Sequence, residues 1–163
     1  MPDKNNAMEI MSRPIAAEER LSSATGRKTA LYCRTAAMCD FAIRGQEERL
    51  RLYAKENNYD NISSYIDNGE SGASLNRPAM NRLIADIQSG EVETVIAISE
   101  DRFARGIAPL AQWVKILEKA NVECVTVNNE RRDFLGEFAR WRDFMETYEP
   151  VLNELESEAA FPA

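Results

Sequence analysis

Residues 94–98 read Thr-Val-Ile-Ala-Ile, and the chain continues as Ser99-Glu100-Asp101-Arg102-Phe103-Ala104-Arg105. A compact β-branched run without polar alternation is what a strand buried on both faces uses, as in a parallel sheet. Leu110, Trp113, Val114 and Leu117 then fall at i, i+3, i+4 and i+7 and predict a helix with one buried face. Glu123–Val127 (ECVTV) predicts a further strand. The same alternation holds upstream. Met80, Leu83, Ile84 and Ile87 share the helical spacing, with Pro78 at a tolerated first-turn position and Gly90 as the stop. Before them come a strand at Ile62–Asp67 closed by the turn-rich stretch Asn68–Asn76, a helix from Phe41 to about Asn57, and a strand at Thr29–Arg34 (TALYCR). The predicted fold class is α/β, a mostly parallel central sheet of about four to five strands with helices on both faces. Right-handed crossovers gather the strand carboxyl ends on one edge, where sites form.

The chain of 163 residues is long enough for one domain with a real core, and 44% apolar with 29% charged residues excludes a disordered polymer. No apolar run approaches the ~20 residues of a membrane span. Histidine is absent, which removes His general bases, the Ser-His-Asp triad and His-containing metal sites together. Cys33, Cys39 and Cys124 show no CxxC spacing, so neither a disulfide framework nor a thiolate metal site is expected, and no cofactor is implied. A reducing, cytoplasmic setting follows as the expectation.

Charge is uneven along the chain. Residues 1–27 hold four acids and four bases, residues 28–142 hold 17 acids and 16 bases, and residues 143–163 hold six acids and no base, which together give the net −7. A near-neutral body with an acidic end lacks the basic patch of a general nucleic-acid binder. Residues 1–27 read as a flexible leader, 28–133 as the folded body, 134–158 as a C-terminal helix and 159–163 as a tail. Phe134, Phe138, Trp141, Met145, Tyr148, Leu152 and Leu155 alternate steps of four and three, a heptad seam that Pro150 interrupts. Such a helix packs on its own sheet or pairs with another subunit.

Three motifs stand in this α/β frame. The first is Tyr32-Cys33-Arg34 at a strand end, with Gln46 in the next helix. The second is Asp67-Asn68-Gly69-Glu70-Ser71-Gly72, followed by Arg77-Pro78. The third is Asp101-Arg102-Phe103-Ala104-Arg105 directly after a strand. In this order, with the elements spaced from Thr29 to about Met145, the chain resembles the catalytic domain of the serine recombinases, the resolvase/invertase family. The resemblance implies a resolvase-like fold and transesterification at a DNA phosphodiester, in which a serine hydroxyl attacks phosphorus without a metal. It assigns Arg34, Arg77, Arg102 and Arg105 to neutralising the phosphate, Asp101 to orienting or proton transfer, and Gln46 to a supporting contact. Tyr32, Asp67, Gly69, Ser71 and Gly72 join the supporting set, with a mobile loop at the glycines and Ser71 read as a turn residue. The plainer alternative makes the arginines ion-pair partners of Asp67, Asp86, Glu100 and Asp101 on the surface.

One position departs from the family. Its nucleophile follows as Tyr-x-Arg-x-Ser, whereas here Tyr32-Cys33-Arg34-Thr35 leads to Ala36, and no serine lies between Ser23 and Ser63. A methyl group cannot attack phosphorus. Strand alternation points Cys33 and Thr35 away from the face of Arg34 and Ala36, and Cys39 lies beyond the strand end. The expectation is therefore a domain that does not cleave by the family's route. With the chain read to Ala163, the expectation is that it does not select a DNA target by itself, and Glu149, Glu154, Glu156 and Glu158 would repel a phosphate backbone. The implied partners are DNA phosphates, met weakly or through another protein, and a homodimer or higher oligomer. A different class of reading is a regulatory protein that pairs through its C-terminal helix with an active recombinase. A binder of small phosphorylated ligands is the weakest reading, since no Gly-rich phosphate loop of the P-loop type is present.

Overall fold

The computed structural model describes residues 26–129 and, beyond them, Gly136, Ala139, Arg140, Arg142, Asp143, Glu146 and Thr147, all helical. The leader before residue 26 and the seam residues Phe134, Phe138, Trp141, Met145 and Tyr148 lie outside the described residues. Among the described residues no helix is long and apolar enough to cross a membrane.

The elements run β1 (Lys28–Thr35), α1 (Asp40–Glu56), β2 (Ile62–Asn68), α2 (Pro78–Gln88), β3 (Val92–Ala97), α3 (Glu100–Phe103), α4 (Ile107–Ala120) and β4 (Glu123–Thr126), with a 3-10 turn at Val127–Asn129. The four strands are parallel in the order β2-β1-β3-β4. Side-chain alternation along β1 feeds two cores. Leu31 and Cys33 pack with Ile43, Leu50 and Ala54 of α1 on one face, while Ala30 and Tyr32 pack with Met80, Leu83, Trp113 and Leu117 of α2 and α4 on the other. Helices on both faces and buried β-branched strands are the α/β arrangement the sequence pattern predicts.

Two details differ from the sequence reading. The short helix α3 was not expected, because four residues carry no periodicity. It holds its place through Phe103, whose ring stacks between Tyr32 at 5.8 Å and Trp113 at 4.9 Å. Secondly, β1 ends at Thr35, so strand alternation does not extend to Ala36, which lies exposed in the loop before α1.

The strand order creates a crevice. β1 pairs with β2 along its whole length to Thr35↔Asn68, but with β3 only as far as Leu31↔Ile96. The chain leaves β1 toward one face of the sheet and leaves β3 toward the other. The carboxyl ends of these neighbours therefore diverge, a topological switch point of the kind where α/β sheets place their sites.

Candidate functional site

Arg34 closes the crevice from below. Its side chain is fully buried, and all its observed bonds are to backbone carbonyls: Nε donates to Arg102 O at 3.0 Å, Nη1 to Glu70 O at 2.8 Å and Nη2 to Asp101 O at 2.8 Å. One guanidinium thus ties the end of β1 to the glycine loop and to α3. Burial, and then the charges of Arg77 and Arg102, lower its pKa, yet an arginine keeps its proton under such a pull. Its own backbone is met by Gln46, whose Oε1 accepts from Arg34 N at 3.2 Å and whose Nε2 donates to Arg34 O at 3.1 Å. The Gln46 amide takes the place a neighbouring strand would have filled.

Arg77 is the second buried arginine. Nη1 donates to Ser74 O at 2.8 Å and Ser71 O at 3.2 Å, and Nη2 donates to Phe103 O. Nε faces Asp67 Oδ2 at 3.7 Å, an ion pair beyond hydrogen-bond length, and the guanidinium stacks 5.7 Å from the centre of the Tyr32 ring. Asp67 in turn anchors the start of α2. Its Oδ1 accepts from Ala79 N at 2.8 Å, and its Oδ2 accepts from Met80 N at 3.0 Å and Tyr32 Oη at 2.7 Å. Pro78 occupies the first position and brings no N–H, so the carboxylate takes the next two free amides and also suits the positive end of the helix. Burial chiefly, reinforced by Asp67, pushes the Tyr32 phenol far above its ordinary pKa, so it acts as a neutral donor.

The outer layer differs. Arg102 Nη1 donates to Arg34 O at 2.9 Å, and its Nη2 reaches Asp101 Oδ2 at 3.3 Å. Arg105 Nη2 lies 3.9 Å from the same carboxylate oxygen, with its side chain 59% exposed. Asp101 Oδ1 accepts a short bond from the Ser99 hydroxyl. Burial alone would raise the Asp101 pKa, but the Ser99 bond and the charges of Arg102, Arg105 and Arg34 outweigh it and hold the carboxyl below its ordinary range. The result is one exposed and one half-buried guanidinium that share a single anion.

The loops between these layers are tight. A Cβ on Gly72 would lie 2.9 Å from Arg34 Nη2 and 3.0 Å from Arg105 Cγ, so only glycine lets the chain cross there. Gly69 has φ +82° and lies against Met38 of the loop that carries Ala36. That loop is framed by Asn68, whose Oδ1 accepts from Thr35 Oγ1 and Cys39 N at 2.8 Å each and whose Nδ2 donates to Asp40 at 2.8 Å. Ser71 Oγ accepts from Ala73 N at 3.2 Å within the turn.

The structure therefore gathers Tyr32, Arg34, Gln46, Asp67, Gly69, Ser71, Gly72, Arg77, Asp101, Arg102 and Arg105 at one sheet edge, with Ala36 in the adjoining loop. Asp86 stands apart, paired with Lys28 at 3.4 Å. Sequence reasoning missed Asn68, Ser99 and the buried role of Phe103. A serine two residues before an aspartate at a strand end was a visible signal for Ser99, whereas Asn68 needed the fold to bring it to Asp40.

A family model for the resolvase N-terminal domain matches residues 29–160. The chain belongs to that family, the catalytic domain of the serine recombinases. Among curated proteins, this resolvase domain is 31% identical over 103 residues to a putative DNA recombinase of Bacillus subtilis (strain 168), covering 62% of this chain. It spans only 20% of the length of that relative. Among solved structures, the N-terminal catalytic domain of TP901-1 integrase superposes with a TM-score of 0.60 at 29% identity, covering 83% of this chain and all of that one. A resolvase family site-specific recombinase from Streptococcus pneumoniae gives a TM-score of 0.55 at 26% identity, over 80% of this chain and 99% of that one.

Proposed function

We propose that this resolvase domain engages the phosphate backbone of DNA through Arg102 and Arg105 and does not form the covalent phosphoserine link of its family. The observation that carries the reading is Ala36, which stands at the motif position of the nucleophile, exposed beside the Asn68–Gly72 loop. The exposed Arg105 guanidinium and the half-buried Arg102 guanidinium offer charge and planar donors to phosphate oxygens. Asp101 is anionic at neutral pH and keeps both arginines extended. Arg34 and Arg77 act beneath them as a rigid base, since their donors serve carbonyls. Without a hydroxyl at position 36, the phosphorus has no attacking oxygen and the phosphodiester stays intact.

Supercoiled plasmid incubated with the protein and run on a denaturing gel tests this. The expected result is no nicking and no protein–DNA adduct, together with binding that weakens steeply with salt. An adduct formed by the unmodified chain would overturn the proposal. Ala36→Ser is the companion variant, expected to restore the adduct once DNA is bound. Pairing with an active recombinase rests on the Phe134–Leu155 seam, and subunit exchange between this chain and an active relative tests it.

A further inference from the structure

Among the described residues, large apolar side chains stand exposed at Met38 (80%), Phe41 (83%), Leu52 (56%) and Ile107 (61%). All but Leu52 lie at the carboxyl edge of the sheet, around the arginines. Met38 is in the loop after β1, Phe41 in the first turn of α1, and Ile107 two residues beyond Arg105 at the start of α4.

Polar bonds fix the place of Met38 and Phe41. Asn68 Oδ1 accepts from Cys39 N and Asn68 Nδ2 donates to Asp40 Oδ1, each at 2.8 Å, so the start of α1 is tied to the end of β2. Met38 also backs onto Gly69, where a Cβ would lie 3.3 Å from the Met38 nitrogen. α1 turns Ile43, Leu50 and Ala54 into the core, which leaves Phe41 and Arg44, three residues apart, on its outward side. Arg44 is exposed and makes no ion pair with any described residue, and Glu48 ends the patch one turn further along. At the other end of the glycine loop, a Cβ on Gly72 would lie 3.0 Å from Arg105 Cγ. Three extended residues span at most about 11 Å, so Met38 and Arg105 bound one surface of about 20 Å. That length matches about six base steps of B-form DNA.

We propose that Phe41 and Met38 seat against the bases of the duplex whose phosphates meet Arg102 and Arg105, with Arg44 on a neighbouring phosphate, an inference that rests on the DNA reading of the arginine site. Phe and Met are side chains that enter the minor groove as wedges and partly unstack a base step. A base stacked on an aromatic ring is not read for sequence, because every base has a π-face, so the contact adds affinity without specificity. A second copy seated here by two-fold symmetry would set Arg44 and Arg105 against their own counterparts, whereas DNA meets each with a phosphate.

Fluorescence anisotropy of a labelled mixed-sequence duplex across a salt series tests it, with urea unfolding as the check on the fold. Phe41→Ala is expected to weaken binding about 10-fold at every salt concentration with the salt slope and urea midpoint unchanged, while Phe41→Tyr keeps the affinity. Arg44→Ala is expected to lower the salt slope by about 1. Leu52→Ala, an exposed apolar change about three turns along α1, is expected to alter nothing. Undiminished affinity in Phe41→Ala overturns the proposal, as does an equal loss in Leu52→Ala. So does a DNA-free dimer, seen by sedimentation, that Phe41→Ala dissolves, which would make a second copy the occupant. Salt-steep binding that ignores both Phe41 and Arg44 leaves the arginine reading standing and removes this one, whereas no binding by the unmodified chain removes both.

Discussion

The inner and outer arginines of the crevice carry the same side chain and do opposite work. Arg34 and Arg77 are buried, and their bonds end on carbonyls of the glycine loop and α3. Arg105 is exposed and Arg102 half-buried, and the two share one carboxylate, Asp101. A buried guanidinium is tolerable when its charge is paired or its donors are met. The donors of Arg34 end on carbonyls, while Arg77 Nε has no hydrogen bond and faces the Asp67 carboxylate at 3.7 Å, and each becomes a structural joint. An exposed guanidinium keeps its charge available to a ligand. The same motif set thus supplies a buried base and a more exposed edge.

That contrast can be broken most forcefully at Arg34. Arg34→Met leaves the carbonyls of Glu70, Asp101 and Arg102 without their donor and is expected to cost about 3–5 kcal/mol in denaturant unfolding. Equal stability of Arg34→Met and Arg102→Ala would erase the distinction. Gly72→Ala pushes a methyl to 2.9 Å from the Arg34 guanidinium and is expected to cost about 1–3 kcal/mol by the same measurement. No loss there would show that the loop can yield.

Arg102→Ala sharpens the outer side. Its expected effect on stability is under about 1 kcal/mol, since only part of a half-exposed network is lost, while the salt slope of DNA binding falls by about 1. The smallest effect is expected from pH. The Asp101 pKa is lowered in the fold, so its stabilising contribution is present above the ordinary carboxylate value of 3.8 and is lost as pH falls through the folded value. The difference in urea midpoint between the protein and Asp101→Asn should therefore be present at about pH 5 and fade below pH 3.8. A difference that persists at lower pH would show that the Asp101 charge is not its source.

Much of this was legible in the residues, for identifiable reasons. The β-branched run at 94–98 and the spaced apolar residues of α2 and α4 report burial directly, because periodicity is local. The strands ended within a residue or two of their expected limits, and β3 began earlier at Val92, whose side chain is buried. The site motifs were visible as a set, but their division into layers was not. Arg34 and Arg102 differ in burial only because Arg34 sits on β1 under α3, while Arg102 sits on α3 itself.

The sequence by itself determined the α/β class, the family motifs and the alanine at position 36, since each depends on residue identity or short-range spacing. Only the tertiary structure decided which arginines are buried in the fold and which reach its surface. It also showed that Gln46 stands in for a missing strand partner and that Asn68 frames the loop carrying Ala36. Those assignments depend on where β1 and β3 part, a divergence set by strand order, and partners such as Arg34 and Asp101 stand 67 residues apart along the chain.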